Sequence, residues 1–87
     1  MPAVTVLAAS STEIVPEDYA RTLVVVANAD ASANIHIAFG VAATTNDAYI
    51  APGGNMTIDE PRCKCAINGI SSSGNITAKY SKLSLGT

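Results

Sequence analysis

The sequence predicts an all-β domain: a single small β-sandwich or jelly-roll-like barrel of about seven strands. Three observations carry this. β-Branched residues recur in short runs, with seven valines, eight isoleucines and eight threonines among 87 residues. Clusters of Gly, Pro, Asn, Asp and Ser separate those runs at roughly 8–12-residue intervals. No segment shows a sustained 3.6-residue apolar period.

The elements follow in order. Val4–Ala9 reads as a first strand, and Ser10–Asp18 as a loop carrying Pro16. Pro16–Ala20 has the residues of a single helical turn, because Pro and acidic side chains suit a helix start. Arg21–Asn28 is the strongest strand, centred on Leu23-Val24-Val25-Val26. Asn34–Phe39 alternates, with Ile35, Ile37 and Phe39 on one face and His36 on the other, and Gly40 ends it. Ala48–Ala51 precedes Pro52-Gly53-Gly54, a turn signal. Asn55–Glu60 places Met56 and Ile58 inward, and Pro61 breaks it. Cys63–Ile70 reads as a strand, Ser71–Gly74 as a turn, and Asn75–Leu83 as the last strand, with Ile76, Ala78 and Tyr80 on one face. Residues 1–87 are thus one domain.

Size and composition bear on association. So short a chain buries somewhat over ~60% of its unfolded surface, which leaves stability marginal. Aromatics are 5% and charged residues 14%. The core must rest on Val, Ile, Leu and Ala, and little surface charge keeps copies apart. Small folds commonly complete themselves by oligomerisation. The strand Arg21–Asn28 is apolar on both faces, so its second face is covered by a loop of the same chain or by another subunit. Val24 and Val26, with Leu83 and Leu85 near the chain end as apolar anchors, read as the interface residues.

Little in the sequence carries chemistry. A net charge of −2 gives no basic footprint for nucleic acid. No run approaches the ~20 apolar residues of a membrane-spanning helix, and no targeting segment is visible. Cys63 and Cys65 on a strand would share a face; they read as reduced, packed thiols that fit synthesis in a cytoplasm. Zinc wants about four ligands, and only His36 is left to help. The acidic residues are dispersed, and Asp59 and Glu60 are neighbours that face opposite ways. No nucleophile elbow, Walker loop or dinucleotide fingerprint is present. The chain reads as a non-enzyme with no metal and no cofactor.

The succession Val4-Thr5-Val6, Arg21 to Asn28, Ile35 to Gly40, Ala42-Ala43-Thr44-Thr45, Tyr49 to Gly54, Ala66 to Ile70 and Ser73-Gly74 resembles small β-sandwich structural proteins of tailed-bacteriophage virions. These are head-decoration, or cement, proteins and related fibre domains. The chain departs from that pattern at Cys63-Lys64-Cys65. Arg21 at a strand start suits bonds to loop carbonyls, and Asn28 at a strand end suits holding a turn. With Gly40, Pro52 and Gly53 they are the structural residues of the reading. The resemblance implies a capsid-surface protein, made in the host cytoplasm, that binds the major capsid protein as a homo-oligomer, often a trimer. It implies no catalytic residue and no nucleic-acid or membrane partner. Two alternatives are a tail, neck or fibre-base component, and a small carbohydrate-binding module using Tyr19 and Tyr49.

Overall fold

The longest apolar run of the sequence becomes the middle of a sheet. In the computed structural model, which describes residues 3–84 and side chains to 82, Arg21–Asn28 is strand β3. The other strands are β1 (Ala3–Val6), β2 (Thr12–Val15), β4 (Ile35–Phe39), β5 (Tyr49–Ile50), β6 (Asn55–Asp59), β7 (Ile67–Ser71) and β8 (Ile76–Ser84). They form two four-stranded antiparallel sheets, ordered β1-β8-β3-β6 (sheet A) and β2-β7-β4-β5 (sheet B). The protein is a small β-sandwich.

Alternation selects the inner face of each strand. Val6, Val24, Val26, Ile58, Ile76 and Ala78 of sheet A meet Ile14, Ile35, Ile37, Ile50 and Ile67 of sheet B in one core. Each fully buried Val or Ile contributes about 1.5–3 kcal/mol. Phe39, Met56 and Tyr80 are half-buried against this cluster. A Cβ on Gly69 would sit 2.6 Å from Ile14 Cδ1, so glycine leaves room for the Ile14 side chain over β7.

Several sequence readings are corrected. β2 lies inside the stretch read as a loop; its Ile14 and Val15 are adjacent at a register shift, so alternation is lost. The first strand ends at Val6, because Leu7 leaves the ladder with β8 and Ala8–Ser10 bends away. Residues 16–20 form no helix. Arg62–Lys64 is a single 3-10 turn, and the strand starts only at Ile67. Val24 and Val26 face the interior and are 0% exposed, so they present no interface; Leu23 and Val25 hold the outer face and are half-buried. The side chain of Leu83, and Leu85 entirely, lie outside the described residues.

Six of the seven connections cross from one sheet to the other; only β4–β5 stays within one. The polar residues at the two ends of β3 tie these crossings down. Arg21 is 0% exposed. Its guanidinium donates to the main-chain carbonyl of Cys63, to Pro16 O at 2.9 Å and to Cys65 O at 3.0 Å. It thereby joins the β2–β3 and β6–β7 crossings. Asp18 N–H donates to Lys64 O at 3.0 Å between the same two loops. Lys64 Nζ donates to Arg21 O at 2.8 Å and pairs with Glu60. Among the described residues no carboxylate lies within ion-pair distance of Arg21. The buried charge is compensated by carbonyl dipoles.

Asn28 does the same at the other end. Its Nδ2 donates to Ala33 O at 2.7 Å and Ile50 O at 3.0 Å, while Oδ1 accepts from Asp30 N–H at 3.0 Å. Its main chain brackets the turn Ala51–Gly54: Asn28 N–H donates to Gly54 O and Gly53 N–H to Asn28 O. In that turn Gly54 N–H donates to Ala51 O, Pro52 fixes the second position and Gly53 takes φ +74°, a type II geometry. Gly40, at φ +75°, turns the chain out of β4. Asp30 accepts N–H bonds from Ser32 and then Ala33, which hold its carboxyl below the usual range. Because that pKa is depressed, this stabilisation of the β3–β4 turn is present above the ordinary carboxylate range and lost as pH falls through the depressed value.

Arg21→Met keeps the bulk but leaves the buried carbonyl of Cys63 and the partly buried carbonyls of Pro16 and Cys65 without their donor. It is expected to lower the unfolding free energy by at least about 3 kcal/mol in urea titrations. Arg21→Lys, a point charge without the fork, should lose about 2 kcal/mol. Variants within about 0.5 kcal/mol of wild type would show that the guanidinium bonds are dispensable.

Candidate docking surface

The outer face of sheet B is roofed over β4 by the chain itself. His36 and Ala38 point outward from β4 yet are 8% and 6% exposed. The cover is the loop from Gly40 to Ala48. Gly40 N–H donates to Ala66 O at 2.8 Å as the loop leaves β4. Asn68 Nδ2 donates to Val41 O at 2.6 Å, and Ser11 Oγ accepts from Ala43 N–H at 2.8 Å. Within the loop, Ala43 is itself buried. A Thr44–Asp47 turn reverses the chain, with Thr44 N–H on Asp47 Oδ2 at 2.8 Å. Asp47 O then accepts from His36 Nδ1 at 2.9 Å, and Ala48 O accepts from Ile37 N–H at 2.9 Å. A carbonyl can only accept, so this contact places the His36 proton on Nδ1.

The loop is a fixed flap, and it carries apolar groups outward. Val41 is 65% exposed and Tyr49, at the flap's end, is 56% exposed. The Tyr49 ring lies 5.5 Å from the His36 ring at 58°. Val41 is tied to Asn68, which pairs with Ala38; Tyr49 pairs with His36 two residues earlier on β4. The two apolar groups therefore flank one stretch of one face, with half-buried Ile70 beside His36. Exposed apolar side chains grouped on one face, with Glu13 at its β2 margin, are the kind of surface a protein partner takes.

The remaining predicted residues are placed elsewhere. Arg21, Asn28, Pro52 and Gly53 sit at the two ends of β3 and act on the loops there. Cys63 is buried and donates its thiol to Arg21 O at 3.5 Å, while Cys65 is half-buried; both are free thiols. Among the described residues no three His, Cys, Asp or Glu side chains gather as a metal site, and no helix is long and apolar enough to cross a membrane. Tyr19 is 74% exposed in the β2–β3 loop, and its hydroxyl donates to Glu17 at 3.1 Å. That bond and the nearby carboxylate charge push its pKa up. Tyr19 lies at the Arg21 end of β3, whereas Tyr49 adjoins Ile50 at the Asn28 end. Eight strand residues, roughly 23 Å, separate those ends. The two tyrosines do not form one sugar-stacking platform. Sequence reasoning missed Val41 and the flap: an isolated Val before Ala42-Ala43-Thr44-Thr45 gives no periodic signal.

Asn68→Ala is expected to release the flap, raising limited-proteolysis rates between Val41 and Asp47. The loss of global stability should stay within about 1.5 kcal/mol. Unchanged cleavage would show that the Asn68 bond does not hold it.

Comparison of the chain with family models, with curated proteins and with solved structures finds no match in any of the three.

Proposed function

We propose that this chain is a structural protein of a tailed-phage virion, a decoration protein that binds the outer surface of an assembled head. In this reading its partners are the major capsid protein and copies of itself. The observation that carries it is the outer face of sheet B, where Val41 and Tyr49 stand exposed on a flap bonded along its length. The virion resemblance of the strand pattern supports it, and so does the low charge of 14%. A surface already fixed in its binding shape loses little conformational entropy on docking. Binding to the assembled shell but not to its free subunits shifts the equilibrium towards assembly. Many identical copies on one shell add their individually small contacts.

The test is co-sedimentation of the purified protein with expanded heads that lack it. Wild-type protein should bind. Val41→Asp and Tyr49→Ala should each weaken binding at least tenfold, about 1.4 kcal/mol, with unchanged thermal midpoints. Failure of the wild type to bind, or equal binding by both variants, would overturn the reading. Copy number per particle adds a second arm: hundreds support the shell, and a handful moves the protein to the tail.

A further inference from the structure

The four sheet edges are not equally protected. In sheet B, β2 carries a register shift and Glu13 and runs into Pro16, while β5 is two residues long and runs into Pro52. Those are the usual defences against edge-to-edge pairing. In sheet A, β1 is four residues long, and β6 is the longer edge, with five residues and no Pro, Lys or bulge along its pairing with β3 before Asp59 and Pro61 end it.

The phase of the ladder identifies which main-chain groups of β6 are free. Asn28 donates its N–H towards Gly54 on the β6 side, and Ala29 donates towards Thr77 on the β8 side. Even-numbered residues of β3 therefore face β6 with their main chain, and their partners are Met56 and Ile58. Asn55, Thr57 and Asp59 turn their N–H and C=O groups to the open edge. Among the described residues these groups have no partner. Beneath the strand lies a cleft of about 250 Å³ between Met56, Ile58, Phe39 and Arg62, with Arg62 Cζ 5.6 Å from the centre of the Phe39 ring. It stays open because β5 is too short to close that side of the sandwich.

We propose that β6 pairs with β6 of a second copy, antiparallel and two-fold symmetric about Thr57, joining the two A sheets into one of eight strands. The charge pattern of the strand fits this occupant. Centring on Thr57 pairs all five residues, Asn55 with Asp59, Met56 with Ile58 and Thr57 with itself. Asp59, the only charged residue of the strand, then faces the neutral Asn55 amide, and Glu60 falls opposite Gly54. The three residues with open main-chain groups on each copy meet as hydrogen-bonded pairs. Inside the sandwich, Met56 and Ile58 of each copy extend the apolar roof of the other's cleft. The pairing needs nothing from the virion reading: solution mass tests it, whereas head binding tests the other.

The experiment is sedimentation equilibrium of the wild-type chain, Thr57→Lys and Thr57→Pro across micromolar to millimolar concentrations. Thr57 is exposed and its N–H is not used inside the chain, so both variants keep the β3–β6 ladder. Circular dichroism checks that they do, and Thr57→Lys alone suffices if the proline unfolds the strand. Wild type should reach twice the 8.8 kDa chain mass. Thr57→Lys, which sets two like charges at the axis, should raise the dissociation constant at least tenfold, and Thr57→Pro should abolish the dimer. A wild-type monomer throughout, or any oligomer that Thr57→Lys leaves intact, overturns the proposal.

Discussion

Everything in this sandwich hangs on two polar side chains buried at the ends of one strand. Six of seven connections pass between sheets, so the loops rather than hairpins hold the layers in register. Loops are costly to order and must bond their main chain somewhere. Arg21 takes that role at one end, through carbonyls of residues 16, 63 and 65. Asn28 takes it at the other, through Ala33 and Ile50. Between them Val24 and Val26 seal the two sheets. A core short of aromatics gains from this arrangement, because directional bonds fix the layers where bulky rings would otherwise interlock them.

A second set of bonds decides what the surface offers. Through Ser11, Asn68 and His36 the β4–β5 loop is held over β4, with Val41 and Tyr49 towards solvent. That loop and its end carry two of the exposed large apolar side chains, while Leu7 and Tyr19 stand in other loops.

Much of this architecture is readable in the residues. The β4 alternation, the Ala51–Gly54 turn and the placement of Met56 and Ile58 are local patterns with local causes. The failures are non-local. Residues 63–65 have strand-forming character, but a guanidinium 42 residues away takes the Cys63 carbonyl and turns the chain. β2 hides behind Pro16 and a register shift that sets Ile14 and Val15 side by side. Assigning Val24 and Val26 outward fails because β3 is apolar on both faces. Its buried face is the one that also carries Asn28, so polarity points the wrong way. The flap has no period at all; bonds to Ser11 and Asn68, far off in the chain, position it.

Native-state hydrogen exchange of the wild-type protein reads directly whether the crossings are locked as firmly as the core. The relevant amides are Asp18 and Lys64 at the Arg21 end and Gly53 at the Asn28 end, set against Val24 and Val26. The loop amides are expected to exchange within roughly tenfold of the core amides, through the same cooperative opening. Exchange of Asp18, Lys64 and Gly53 at the rates of unprotected loops, while Val24 and Val26 stay protected, would contradict it.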